Sequence, residues 1–444
     1  MLKLYYIFLQ SHCGKELTMN EIEQLLRFIK NGTSAFHVIE TTCDILDNAD
    51  FKRLDFTEKW DLNLGSNYYT VPYGTTLFAF TLGHILDETP DLRIASAHTD
   101  QPCLKIKPVP QSIHKHYLKI NTEVYGGPNL ISWFDRPLSI AGKVSISGGD
   151  TFKPITQLVD FKHAILTIPN LAVHFNAEYK KPDKQTELVP IAAIISDELS
   201  KDDYFLSILA QELAVNIEDI LDFDLCVYNQ EQGITLGLND EMISSPRLDN
   251  LTSVNSLIDG IIRGTSSHTI NVIALYDNEE VGSRTKQGAD SALTNLFLEK
   301  LYSTLGYTRE TMINSILSGL MISADVAHAY HPNYTTQYDP DVYCELNKGV
   351  AIKINACQKY ASDTEAIASI IQLCKNYNIP YQRFVNRSNI AGGSTLGSII
   401  SSWLPMRTVD LGIPILAMHS ARELMGSEDQ KSLNRLITAF FSQE

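Results

Sequence analysis

The chain has 444 residues and a formal net charge of −16, with 44% hydrophobic and 20% charged residues. That is long enough for two domains with a large buried core, and the composition is ordinary for a soluble globular protein. Lys and Arg never cluster into a long block, so the chain lacks the positive field that nucleic acid or an anionic membrane requires, and neither is expected as a partner.

Met1 to Gln10 contains the apolar stretch Leu4 to Leu9 behind a single Lys3. It is too short for a secretory core and has no small-residue cleavage site. Met19 directly precedes an amphipathic segment, so residues 1–18 read as a tail and Met19 as an alternative start. Cys13, Cys43, Cys103, Cys226, Cys344, Cys357 and Cys374 are scattered without a CxxC pair, which reads as reduced thiols in a cytoplasmic protein.

Ile22, Leu25, Leu26 and Ile29 recur at helical spacing before Gly32, predicting a first helix. Leu92 to Ala97 alternates as a strand and delivers His98-Thr99-Asp100. From 101 to 235 the segments turn β-rich: Leu104 to Val109, Leu118 to Val124, Leu138 to Ser147 and Ala164 to Ile168, followed by a helix around Asp203 to Ala214. Helices and strands then alternate, with helices over Leu251 to Ile262 and Ala292 to Leu305. Strands are expected over Val272 to Tyr276, Leu320 to Ala324 and Ile413 to Met418. Ser362-Asp363-Thr364-Glu365 reads as a capping box opening a helix to Lys375, and Leu433 to Phe441 as a last helix. The expected class is α/β, a mixed, mostly parallel sheet with helices on both faces. It is formed by residues 19–100 and 236–444 and interrupted by a β-rich domain over 101–235.

Chemistry collects where strands end. His98 and Asp100 end one strand, Glu279 and Glu280 another, Asp325 a third and His419 a fourth, while Asp249 precedes a helix. In a parallel sheet such ends share one edge. Taken alone, Glu279-Glu280 would be a solvated acidic turn, but convergent His and carboxylate groups suit zinc, manganese or cobalt. The inventory can be divided between two ions, with His98 and Asp325 on one, Glu280 and His419 on the other, and Asp249 between them. The residues alone give the set, and the pairing draws on a family resemblance. Two such ions can activate a water and polarise a scissile carbonyl. Glu279 is left as general base, and Asp100 to orient the His98 ring.

Several segments closely resemble the aspartyl aminopeptidase (M18) family of metallopeptidases. They include Ser96 to Cys103, Tyr125-Gly126-Gly127-Pro128, Ser245 to Asn250, Ala274 to Ser283, Ile322 to Ala329 with His331 to Tyr334, and Ala417 to Ser420. They run in family order from about residue 20 to the C-terminus. The resemblance implies a dizinc aminopeptidase acting on peptides, a catalytic domain split by a dimerisation domain, and a dodecamer built from dimers. It supports His98, Asp249, Glu280, Asp325 and His419 as ligands, Glu279 as base and Asp100 as the partner of His98. It also assigns His174 a substrate-binding role across a subunit interface, where the residues alone suggest an ordinary loop histidine. Lys353 would pair with an acidic N-terminal side chain, or else be an edge-strand lysine that discourages aggregation. Acidic and neutral preference both occur in the family. A related dinuclear deacylase or carboxypeptidase, and an idle oligomeric scaffold, are the alternatives. The Gly392 to Gly397 loop lacks a phosphate-loop ending and reads as a helix start.

Overall fold

A computed structural model describes residues 20–175, 181–195 and 203–444; the expected tail, residues 1–18, lies outside them. Among the described residues twenty strands, numbered along the chain, form three sheets. The largest has the spatial order β1 (Lys52–Leu54), β2 (Asn67–Thr70), β3 (Leu77–Leu82), β13 (Thr269–Tyr276), β4 (Asp91–His98), β14 (Leu320–Ala324), β18 (Arg407–Gly412), β16 (Val350–Lys353), β17 (Tyr381–Phe384). The four central strands β13, β4, β14 and β18 run parallel to one another.

Every residue of β13 is buried, because both faces of this sheet are covered. Ile273 and Leu275 pack against helices Glu21–Asn31, Ala35–Asn48, Leu248–Arg263, Thr364–Asn376 and Ser427–Ser442. Val272, Ala274 and Tyr276 face helices Leu293–Thr304, Arg309–Ser318 and Leu396–Trp403. The class is therefore α/β, as the alternation of elements predicts. On the second face Phe78 and Phe297 stack at 4.5 Å between centroids, with Trp60 and Phe80 around them.

The second sheet is drawn from residues 103–229: β8 (Lys153–Asp160), β7 (Leu138–Asp150), β10 (Ile220–Asn229), β5 (Cys103–His114), β6 (Tyr117–Tyr125) and β9 (Ile191–Ile194). It is antiparallel throughout and packs its own core under helix Tyr204–Leu213. The third sheet is small: β11 (Ile234–Leu236), β12 (Met242–Ser245), β20 (Glu423–Gly426), β19 (Pro414–Leu416) and β15 (Ala327–His328).

Three local expectations are corrected. Ala164 to Ile168 forms no strand; Leu166 and Thr167 make isolated bridges to Leu138 and Ile191. The cap of the Thr364 helix is Asp363, whose side chain accepts from Ala366 N at 2.8 Å. Ser362 instead uses its hydroxyl to accept from Asp410 N. Finally, the strand expected over Ile413 to Met418 is shorter, Pro414–Leu416, and does not belong to the main sheet. The chain leaves the main sheet at Gly412, packed so tightly against the Asp325 carbonyl that no Cβ would fit, and continues as β19 in the small sheet. No helix among the described residues is long and apolar enough to cross a membrane.

Candidate metal centre

Five chain segments bring carboxylates and imidazoles together at the carboxyl edge of the central strands. β4 ends in His98, fully buried beside β13 in a register that pairs His98 with Tyr276. After β14, Asp325 is held by its N–H on Leu411 O at 2.9 Å. After β13, Asn278 and Gly282 both adopt left-handed backbone, at φ 61 and 96, and between them Glu279–Val281 makes one 3-10 turn. Arg247, at φ 59, turns the chain into helix Leu248–Arg263, whose Asp249 and Asn250 are not yet helical and share a cis peptide. Asn250 Nδ2 donates to Ala324 O at 2.9 Å, tying this start to the end of β14. His419 comes from a loop after β19, at φ 65, and not from the end of a main-sheet strand.

Asp249 stands at the middle. Its Oδ1 lies 3.3 Å from His98 Nε2, and its Oδ2 3.5 Å from His419 Nε2. His98 Nε2 is also 3.7 Å from Asp325 Oδ1, and His419 Nε2 is 3.5 Å from Glu280 Oε2. Three triads thus have ligand-type atoms within 4.8 Å of one another: His98–Asp249–Asp325, Asp249–Glu280–His419 and His98–Glu279–Glu280. Asp249 Oδ1 and Glu280 Oε1 are buried without a hydrogen-bond partner, an expensive condition for carboxylate oxygens. A shared carboxylate between two His–carboxylate sets, with orphaned oxygens facing inward, fits divalent ions of the zinc type.

Asp100 does more than face His98. Its carboxylate lies 3.4 Å from His98 Nδ1, which is closer, at 3.0 Å, to the Asp100 carbonyl oxygen. The same carboxylate accepts from Glu279 N and Glu280 N, both at 3.1 Å, and from Tyr125 Oη at 2.8 Å. Asn278 Nδ2 donates to that hydroxyl at 2.9 Å. Asp100 therefore fixes the Glu279–Glu280 turn as well as the imidazole.

The second sheet reaches into the centre through the segment after β6. Gly126, at φ 73, leaves only 3.1 Å between a notional Cβ and Glu280 Cβ, so a side chain there would press on that carboxylate. His419 Nδ1 lies 3.0 Å from Gly127 O. With Nδ1–H donating to that carbonyl, Nε2 is left with its lone pair toward Asp249 and Glu280. Tyr125, Gly126 and Gly127 make a strap from one sheet over the other.

Charge is crowded here. Burial, then the fields of Asp325, Asp100 and Asp249, push the Glu279 carboxyl up to about 8 against the pull of His98. Burial first and Asp249 second raise Glu280 well above the usual range. Burial also acts to raise Asp325, but the Lys353 ammonium and His98 outweigh it and hold that carboxyl low. Burial opposes charge on His98, yet hydrogen bonds to Asp100, Asp249 and Asp325 raise it well above an ordinary imidazole.

Lys353 is 2% exposed at the end of β16, which lies between β18 and β17, so it is not an edge-strand lysine. Its Nζ sits 3.4 Å from Asp325 Oδ2 and 5.4 Å from the Tyr360 ring centroid. His174 lies apart, exposed in a loop of the second sheet between exposed Val173 and Phe175. His331, in the motif after Asp325, accepts from Asn333 N at 3.2 Å and so shapes its own loop. The Gly392 to Gly397 segment does open a helix, at Leu396. Two residues that sequence reasoning passed over contact this centre. Tyr125 belongs to a motif visible in the sequence; Glu423, considered below, carries no motif signal of its own.

Residues 28–441 match the family model described as aminopeptidase I zinc metalloprotease, M18. A curated relative from Clostridium acetobutylicum, a probable M18 family aminopeptidase 2, is 41% identical over 430 residues, covering 95% of this chain and 99% of its own. Among solved structures, a chain from a cryo-EM structure of an Ape4 and Nbr1 complex is 30% identical with a TM-score of 0.90, covering 95% of this chain and 85% of that one. The S. cerevisiae mApe1 dodecamer is 25% identical with a TM-score of 0.78, covering 94% and 95%. The chain belongs to the M18 family of zinc metalloprotease aminopeptidases.

Proposed function

We propose that this aminopeptidase works through two divalent ions, zinc in the first instance, held by His98 and Asp325 on one side, Glu280 and His419 on the other, and Asp249 between. The observation that carries this reading is Asp249, whose two oxygens address two separate histidines while Oδ1 has no hydrogen-bond partner. Bound there, the ions supply Lewis acidity toward a water and the scissile carbonyl. Glu279 takes the proton of the attacking water and passes it to the leaving amine. Asp100 holds the Glu279 backbone while it does so. Lys353 and Tyr360 form the floor on which an acidic N-terminal side chain is recognised, so peptides beginning with Asp or Glu are the proposed substrates. The protein is proposed to be a cytoplasmic homo-oligomer, a dodecamer built from dimers in which residues 101–235 mediate dimerisation and His174 reaches a neighbour's substrate. Exposed Leu171, Val173 and Phe175 beside His174 support an interface there, and free Cys43, Cys103, Cys226, Cys344, Cys357 and Cys374 suit a reducing compartment.

The test is Glu279→Gln, assayed beside wild type on a panel of aminoacyl substrates with zinc, manganese and cobalt. Metal content and oligomer should persist while kcat falls roughly 10²–10⁴-fold. Near-normal turnover would remove Glu279 from proton transfer, and equal rates on acidic and neutral N-termini would remove the acidic preference.

A further inference from the structure

Glu423 has no part in the chemistry above, yet it touches both loops that carry it. It lies on β20, 3% exposed, opposite Ser245 of β12. Its Oε2 accepts from Asp249 N at 3.0 Å and its Oε1 from His419 N at 2.8 Å. The backbone N–H of Leu248 is directed at the same carboxylate. One side chain thus gathers donors from two segments far apart in the chain, and their own side chains meet 3.5 Å apart.

Both segments need restraint. Ala417 and His419 are left-handed at φ 57 and 65, as is Arg247 at φ 59. Such backbone is unfavourable for a non-glycine residue and persists where its surroundings fix it. Arg247 is itself tied down, donating to Asn229 O and Ile29 O. Arg247, Asp249, His419 and Glu423 also line one small cavity together. Glu423 is too committed to backbone donors to serve as a ligand.

We infer that Glu423 is a positioning residue that sets the spacing of Asp249 and His419, and thereby the affinity of the ion those two share. The inference rests on the two-metal reading above. Glu423→Gln preserves size but presents an amide –NH2 to one of two N–H donors, so one segment loses its anchor. Glu423→Asp keeps the charge but is one methylene too short to span both.

The experiment is calorimetric titration of the full, chelator-stripped chain with Zn²⁺ and with Co²⁺, reading the visible bands of the cobalt form. Both variants should bind one ion near wild-type affinity and the other roughly 10–100-fold more weakly, with altered cobalt bands. The metal-free variants should still fold, with a thermal midpoint lowered by only a few degrees. Wild-type affinities and cobalt spectra in both variants would overturn the inference, as would failure of both to fold, which marks a purely structural carboxylate. A wild-type chain that binds only one ion would instead overturn the two-metal reading, and the clamp is then judged by that ion's affinity.

Discussion

Tyr125→Phe removes one oxygen from the junction between the second sheet and the metal centre. That hydroxyl donates to Asp100 Oδ2 at 2.8 Å and accepts from Asn278 Nδ2 at 2.9 Å. Burial, reinforced by Asp100 and Asp277, pushes the phenol far above its usual range, so it remains a neutral donor throughout any practical assay. A hydrogen bond to a charged group contributes about 1.5–3 kcal/mol, equivalent to roughly 10- to 150-fold in a rate or binding constant. Asp100 keeps its bonds from Glu279 N and Glu280 N, so the fold survives and the loss falls on the placement of those two carboxylates. Steady-state kinetics on a peptide substrate with saturating zinc should show kcat/KM reduced at least tenfold. If kcat/KM stays within twofold of wild type, the strap is mere packing and the argument from Asp100 fails.

Other perturbations test the surroundings. Lys353→Met leaves Asp325 buried without its ammonium, a change that costs about 3–5 kcal/mol; the metal-free protein should melt earlier, and an unchanged midpoint would show that the pair contributes nothing. Phe297→Ala deletes the ring stacked on Phe78 and should cost about 3–5 kcal/mol in denaturant unfolding, with a loss under 1 kcal/mol pointing to collapse of the cavity. Burial pushes Asp429 up to about 7, above the ordinary 3.8, against the pull of Asn347 N and Gly349 N. A raised carboxyl favours the fold fully below the unfolded value and loses that contribution as pH rises through the folded one. Between pH 4 and 7 the metal-free protein should therefore lose stability, and Asp429→Asn should flatten that slope; parallel slopes for the two proteins would refute the assignment.

What the sequence disclosed, and what it withheld, follows from range. Val272 to Tyr276 is so apolar that only a doubly covered strand suits it, and the polar residues that end it are conspicuous for that reason. His98 and Asp325 are legible in the same way. His419 is different: Ile413 to Met418 reads as one strand because hydrophobicity carries no sign that Gly412 must pass against the Asp325 carbonyl and send the chain into another sheet. Lys353 admits an edge-strand reading beside the substrate-binding one because its countercharge, Asp325, is distant in sequence. Tyr125 and Glu423 act through backbone N–H groups and through Asp100, contacts that no spacing rule encodes. The capping residue slipped by one, from Ser362 to Asp363, since either could serve and only the Thr408 N–H, bonded to Asp363 Oδ2, decides.

The converging side chains are contributed by nearly the whole length of the polypeptide, from His98 to His419. Chains emerge from the ribosome N-terminus first and fold as they emerge, so the segments bearing His98, Asp249, Glu280 and Asp325 are all made before the loop bearing His419. With His419 as a proposed ligand, a nascent chain that still lacks this loop has an incomplete centre.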